Sequence, residues 1–512
     1  MVPARRGDEA LPLGSPLRSS RALPAPPPFA ERYARRPYLG EVAATDALLG
    51  PFFEAVRKQS PPPFLVLTSD HGEALGEHGE ETHGLFAYEA TLKVPLVLWS
   101  PGSVRPGRSK APARHVDILP TILERLGLAP PVGVSGRSLF SPPDGAPVYF
   151  EALSASANRG WAPLTGIVRG RHKYVDLPIP ELYDLSEDPE EKRNLFAARK
   201  QIARELKLLL PAGGNAARPQ APDSEEARRL LALGYISGSA RAKDSYGAED
   251  DPKTLVGLDN KIHRVVDLYQ RGDGAGATAL AREIVRERPS MAVGYEFLSF
   301  LLQEHGSAGE AAAVLREASG KGLASEGMRV RLGLILSEAG RAAEALQVLT
   351  PLSGSSDPDT RNAIGIALAD SGRFEEALAV FGLILKADPG DALAHQNLGI
   401  ALLKRGDASG ALTSFQRALA INGNLPRVFN ARGVALARTG DLSGAVGSWQ
   451  RAAELDPRQY DALFNIGVVA GKQGDLPAAR AALRRFLATA PPALYGNDMA
   501  QARQILRQIG GA

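Results

Sequence analysis

Histidine is scarce in this chain, eight in all, yet His71, His78, His83 and His115 lie close together. The first stands in Thr68-Ser-Asp-His-Gly-Glu73, directly after the apolar run Phe64-Leu-Val-Leu. A short apolar run bounded by polar turn residues predicts a buried strand, and ligand sites of open α/β sheets gather at strand carboxyl ends. Asp70 and His71 there offer a carboxylate oxygen beside an imidazole nitrogen, a pair suited to a hard or borderline divalent cation. Gly72 would let the backbone turn sharply away from it. The plain alternative is a polar turn after a strand, for which Asp and Gly are ordinary choices. His78 and His115 read as loop and helix-cap histidines satisfied by hydrogen bonds. Asp117, ahead of an apolar helical pattern with Pro120 in its first turn, reads as a helix cap, and Asp184, Asp188 and Asn194 as structural.

The elements that must position these residues occupy the first two hundred positions. Val94-Pro-Leu-Val-Leu-Trp99 and Val148-Tyr-Phe-Glu-Ala-Leu153 predict further strands, and helical patterns run from Thr45 to Lys58 and from Val116 to Leu126. Gly166 to Asp176 predicts a hairpin turning at Arg169-Gly170. The class is α/β, a mixed sheet with flanking helices covering both faces. Residues 211–257, rich in Gly, Ser, Asp and Pro around one helical pattern at Ser224 to Leu233, form a linker.

From residue 258 the chain repeats itself. Alanines recur at Ala277, Ala311, Ala345, Ala377, Ala411, Ala445 and Ala479, and Gly333, Gly365, Gly399, Gly433 and Gly467 keep a fixed phase ahead of them. Pro289, Pro389, Pro457 and Pro491 keep a fixed phase behind. Helix pairs need small residues where they cross and a breaker where the second helix stops. The pattern resembles the tetratricopeptide repeat, seven units over 258–493, an all-α solenoid. Residues 494–512, with an amphipathic stretch from Asp498 to Ile509, suit a solvating C-terminal cap. Phe381, Phe415 and Trp449, each at one place in the repeat, read as inter-helix core. Asn362, Asn397, Asn430 and Asn465 lie on first helices, which line the concave face of such solenoids. Their amides are candidates for binding the backbone of an extended protein or peptide partner, or ordinary repeat asparagines.

Composition sets outer bounds. Over 512 residues, 44% are hydrophobic and 23% charged, which suits two or three globular domains. A net charge of +3 argues for neither nucleic acid nor an anionic membrane as partner. With no cysteine, disulfides, thiolate metal sites and a cysteine nucleophile are excluded. No apolar run reaches membrane-spanning length, and Gly-Asp-Glu-Ala-Leu-Pro after Arg5-Arg6 cannot serve an export signal. The expectation is no signal peptide and no transmembrane segment. A periplasmic or membrane-associated location would follow only if a preceding segment carried an address.

Taken together, Tyr38-Leu-Gly-Glu-Val-Ala43, Thr68-Ser-Asp-His-Gly-Glu73, Gly76-Glu-His-Gly79, His83-Gly84 with Tyr88-Glu89, Val94-Pro-Leu96, Val116-Asp-Ile-Leu-Pro-Thr121 and Leu182-Tyr-Asp-Leu-Ser-Glu-Asp-Pro189 with Asn194-Leu195 resemble the carboxyl-terminal half of the sulfatase domain, in the alkaline phosphatase superfamily. The resemblance implies that Asp70 and His71 are metal ligands, for calcium as is usual in sulfatases, or for manganese or zinc as in relatives acting on phosphoesters. It further implies that His83 faces the substrate anion. Sulfatases attack with a formylglycine made within a Cys/Ser-x-Pro-x-Arg motif. Here the nearest string is Gly14-Ser-Pro-Leu-Arg18, with glycine at the nucleophile position. The expectation is a domain lacking its nucleophile half, through gene truncation, a misplaced start codon or a split gene that leaves that half on a separate polypeptide, and no activity from this chain alone. The organisation expected is a Pro/Arg-rich segment at 1–26, a partial sulfatase-like domain at 27–210, the linker at 211–257, repeats at 258–493 and the cap at 494–512. Two functions compete: a metal-dependent sulfuric or phosphoric ester hydrolase joined to a protein-binding scaffold, and a non-catalytic adaptor carrying a sulfatase remnant.

Overall fold

The computed structural model describes residues 32, 37–141, 145–211 and 243–510. The helix expected at Ser224 to Leu233 and the string at Gly14 to Arg18 lie outside them. The described residues up to Phe297 belong to one compact unit and those from Leu298 onward to another.

In the first unit, helix α1 (Pro37–Arg57) precedes strand β1 (Leu65–Thr68). A short helix α2 (Glu89–Leu92), strand β2 (Leu96–Trp99) and helix α3 (Ile118–Arg125) follow. β1 and β2 pair antiparallel with Leu65 opposite Trp99 and Thr68 opposite Leu96. Strands β3 (Val148–Ala152), β4 (Leu164–Arg169), β5 (His172–Asp176) and β6 (Glu181–Asp184), with helix α4 (Ser154–Arg159) between the first two, form a second antiparallel sheet in chain order. The hairpin between β4 and β5 turns where expected, through Gly170 at φ +59, a left-handed conformation that glycine adopts without steric cost. Helix α5 (Lys200–Lys207) lays Ala203 and Leu206 on Ile167, Tyr174 and Leu182 of this sheet. The α/β class is as expected, but pairing among the described strands is antiparallel and in two sheets. Leu67 is 37% exposed and Val97 48%, so cover on both faces, expected from the unbroken apolar runs, is not found on the two-stranded ladder.

The same unit contains the first helices of the all-α region. Helix α6 (Pro252–Gln270) starts ahead of residue 258, and α7 (Gly274–Glu287) pairs with it. The start is set by Asp251, whose carboxylate accepts the Lys253 N–H as an N-cap, with Pro252 in the first turn. The other Asp251 oxygen accepts the N–H of Ile179 at 2.8 Å, so the cap also ties the helix to the loop before β6.

Helix α8 (Ala292–Glu304) leads into the second unit, where α9 (Ala308–Gly320), α10 (Glu326–Glu338), α11 (Ala342–Leu349), α12 (Pro358–Asp370), α13 (Phe374–Ala387), α14 (Ala392–Arg405), α15 (Ala408–Ile421), α16 (Pro426–Thr439), α17 (Leu442–Leu455), α18 (Tyr460–Gln473) and α19 (Leu476–Thr489) follow. The repeat alanines are fully buried. A Cβ at Gly365 would sit 2.6 Å from the Phe381 ring, and one at Gly399 2.5 Å from Phe415. The glycine and the aromatic residue sixteen positions on are therefore one device, a hole on the first helix filled by a ring from the second. Glycines 406, 440 and 474 end first helices in the left-handed conformation, and the aspartates after them, Asp407, Asp441 and Asp475, each cap the second. Helix α20 (Pro492–Gln508) buries Tyr495, Met499, Ala502 and Leu506 against Leu483 and Phe486, so it closes the apolar end of the stack.

Candidate metal and anion site

Asp70 and His71 follow β1 immediately, as the sequence predicts. The Asp70 side chain is 82% exposed and that of His71 38%. His71 Nδ1 lies 2.9 Å from the carbonyl oxygen of Gly72. A carbonyl can only accept, so Nδ1 carries a proton, and Nε2 is the nitrogen left to bind a cation. That nitrogen is 3.7 Å from Asp70 Oδ2, a separation two ligands of one cation can span with bonds of about 2.0–2.6 Å. Partial burial would raise the Asp70 carboxyl, but the adjoining His71, the backbone N–H groups and the Ser69 hydroxyl outweigh it and hold it below its ordinary value. The pair fits two places in the shell of an oxygen- and nitrogen-liking cation. Among the described residues no group of three or more His, Asp or Glu forms a complete shell.

Gly72 serves a different purpose from the sharp turn expected. A Cβ there would collide with the carbonyl oxygen of Ala90, and its N–H donates to Thr91 O at 2.8 Å. The glycine lets the segment carrying Asp70 and His71 lie directly on the backbone after α2.

His83 comes to the same place from the following loop. Its ring packs on that of His71 with centroids 4.1 Å apart, and its Nδ1 donates to Glu73 Oε2 at 2.9 Å, which leaves Nε2 unengaged by that bond. His115 is not a helix cap but lies inside the 3-10 turn before α3, where its Nε2 donates to the carbonyl oxygen of Ser69 at 2.8 Å and so steadies the residue before Asp70. His78 donates to Glu190 O at 3.2 Å and stacks on Tyr88, away from the His71–His83 pair. Asp117 is structural, but its carboxylate takes the backbone N–H and guanidinium of Arg114 and the N–H of Arg137 instead of capping α3.

Sequence reasoning gave no part to Glu80. Only 1% exposed, it accepts the N–H of Leu85 at 2.7 Å and that of Phe86, which closes the loop around His83. Burial, with Asp259 and Glu73 nearby, pushes its carboxyl up to about 7 despite those donors. A buried network lies behind the loop. Glu181 accepts from the hydroxyls of Tyr88 and Tyr183 at 3.0 and 2.9 Å, and Lys173 pairs with Glu191. Burial raises both tyrosines, the Glu181 charge adding to it.

On the repeats, Asn362 and Asn397 are 4% and 7% exposed, and Asn397 donates to Asn362 Oδ1 at 3.1 Å. Asn430 and Asn465 are partly exposed, and the carbonyl of Asn430 accepts the Trp449 indole N–H. The first two thus form a rung between successive first helices. Lys253, Asp259, Asn260 and His263 on α6 also meet the α/β region, and no sequence signal marked them.

Residues 15–128 match the sulfatase family model, residues 76–212 that of the N-sulphoglucosamine sulphohydrolase C-terminal region, and residues 362–426 and 430–493 that of the tetratricopeptide repeat. An N-acetylglucosamine-6-O-sulfatase of Bacteroides thetaiotaomicron is 31% identical over 211 residues, which are 37% of this chain and 37% of that protein. Arylsulfatase K of Mus musculus is 31% identical over 192 residues, covering 33% and 34%. The chain spans little more than a third of the length of these relatives. A tetratricopeptide repeat protein from Parabacteroides merdae aligns over 48% of this chain and 98% of its own, at 13% identity and a TM-score of 0.41. Among the described residues no helix is long and apolar enough to cross a membrane. One polypeptide therefore carries a partial sulfatase-like region followed by tetratricopeptide repeats.

Proposed function

We propose that the α/β region is the cation- and anion-facing part of a metal-dependent sulfuric or phosphoric ester hydrolase, and that the repeats recruit protein or peptide partners. The observation behind this is the placement of the Asp70 carboxylate 3.7 Å from His71 Nε2 at the end of β1, inside the segment that matches the sulfatase model. A divalent cation, calcium by preference with manganese and zinc as alternatives, would supply charge that polarises the ester oxygens. Asp70 and His71 hold that cation, and His83 donates to the anion through Nε2–H while Glu73 fixes its ring. Asn430 and Asn465, partly exposed, remain the amides proposed to meet a peptide backbone, and Asn362 and Asn397, buried and bonded to each other, reach one only by breaking that bond.

No Cys/Ser-x-Pro-x-Arg motif occurs in these 512 residues, so we assign the nucleophile and further acidic ligands to residues outside this sequence, such as a separate polypeptide. That same fact favours a second reading, in which the chain acts alone as an adaptor without turnover. Calorimetry with calcium and manganese tests the site. The expected result is weak binding, with Kd above about 1 μM because two ligands are fewer than a cation normally takes, and its loss in Asp70→Ala. Submicromolar binding by this chain alone would show a complete shell and refute the partial one.

A further inference from the structure

We propose that Asn260 and His263, on the helix that begins the repeat region, position the loop that carries His83, so that this helix is part of the anion site's scaffold. The inference rests on the assignment of His83 to the anion.

Among the described residues, the chain between β1 and α2 forms no strand pairing. Residues 76–84 pass through left-handed conformations at Gly76, His78, Gly79 and Gly84. Their internal hydrogen bonds are local, such as Gly76 N–H to Glu80 O and Ala74 N–H to Thr82 O. A segment built this way needs an external wall to have a single shape. Helix α6 supplies one.

Asn260 Nδ2 donates to the carbonyl oxygen of Gly79 at 2.9 Å. His263 Nδ1 lies 3.4 Å from the hydroxyl of Thr82, the residue before His83. The methyls of Val256 stand 3.5–3.6 Å from where a Gly79 Cβ would be. Positions 256, 260 and 263 recur every three to four residues, so they share one face of the helix. That face is anchored independently: Asp259, whose side chain is 1% exposed, pairs with Arg159 at the end of α4, and Lys253 donates to Ile179 O at 2.8 Å. On its far side the loop delivers His83 onto the ring of His71 and the carboxylate of Glu73. A shift of α6 therefore moves Gly79 and Thr82, and with them His83.

The test uses the full chain with 13C-labelled histidine. Asn260→Leu removes the donor at similar volume, Asn260→Gln keeps an amide donor, and Thr82→Val removes the contact from the loop side and leaves the helix untouched. The expected result is amide exchange over residues 76–84 roughly fivefold faster in Asn260→Leu and in Thr82→Val, the effect of one lost hydrogen bond. The His83 ring signals should shift in both, and Asn260→Gln should restore wild-type exchange. Unchanged exchange and His83 signals in both altered chains would overturn the proposal, as would a Gln variant no different from Leu. If Asn260→Leu fails to fold, Thr82→Val decides alone. Titration of the wild-type chain with inorganic sulfate separates the two ideas. Sulfate that leaves the His83 signals unmoved defeats the assignment of His83 to the anion, whereas unmoved loop exchange in the variants defeats the positioning role.

Discussion

Lys173 Nζ lies 2.7 Å from Glu191 Oε1, with both side chains shut away from water. The ammonium also stands over the rings of Phe150 and Tyr88, and the other Glu191 oxygen accepts the N–H of Glu89 at 2.6 Å. Three distant stretches, α2, β5 and the loop after β6, meet at this pair. Burial raises the Glu191 carboxyl even with Lys173 beside it, so the desolvation cost is large and the partner is needed. Lys173→Met should destabilise the α/β region by about 3–5 kcal/mol, because it leaves a buried carboxylate unpaired. Lys173→Met combined with Glu191→Gln should recover most of that loss. Chemical denaturation of the three chains checks both; a single variant as stable as the parent would contradict the account.

The glycine and aromatic pairs of the repeats make a second prediction. Gly365→Ala should cost about 1–3 kcal/mol, since the new methyl meets a fully buried Phe381 ring in close-packed surroundings. Adding Phe381→Leu opens room for the methyl, so the double variant should lose less than the sum of the two single changes. A thermal melt series with additive losses would show that the two residues do not share one space.

These two sites differ in how far they could be read in advance. The repeat alanines, glycines and prolines were legible because each unit packs on its neighbours, so one local pattern recurs and carries the tertiary contact within it. That Asp70 and His71 directly follow a strand was legible for a related reason: a strand's end is a local feature. Lys173 sits in a hairpin strand where three successive residues, Lys173, Tyr174 and Val175, are buried, which no local pattern announces for a lysine, and nothing near it names Glu191 or Glu89. Asn260 is a similar case, its partner Gly79 lying some 180 positions back, and Glu80 meets Leu85 and Phe86 only because the loop closes on itself. Gly72 was legible as a special position but not for its reason, because the backbone it touches, Ala90, arrives by chain reversal.

Glu80 gives a pH dependence with a definite sign. Its carboxyl is raised to about 7 in the folded chain, by burial first and by Asp259 and Glu73 as well, against the Leu85 and Phe86 N–H groups. The folded state therefore holds a proton that the unfolded state, with an ordinary carboxyl near 4.5, has already lost. Stability from this group is fully present below about pH 4.5 and is lost as pH rises through about 7, by roughly 3 kcal/mol in all. Asp461, raised to about 6 mainly by burial with Asp498 adding to it, acts in the same direction in the repeats. The measurement is thus the difference between parent and Glu80→Gln across pH 4 to 8. The amide oxygen still accepts from Leu85, so the variant should gain on the parent as pH rises; curves that stay parallel would rule out a raised Glu80.

The last prediction concerns where the repeats can be cut. A fragment beginning at residue 258 divides helix α6, which starts at Pro252 and takes its cap from Asp251. It also strips from that helix the Arg159 partner of Asp259 and the Gly79 partner of Asn260, so its first turns lose the wall they pack on. Repeats farther along depend only on their neighbours, and α20 closes the end with Tyr495, Met499, Ala502 and Leu506. A fragment of residues 324–510, starting at the Ser325 cap of α10, should therefore be largely helical by circular dichroism and melt cooperatively. One of residues 258–510 should show the same main transition preceded by an earlier, shallower loss of helix from α6 and α7. The full chain should lack that early step, because Asp259 and Asn260 keep their partners. An early step in the full chain as well would mean that the contacts of α6 with Arg159 and Gly79 contribute nothing to holding the first repeat.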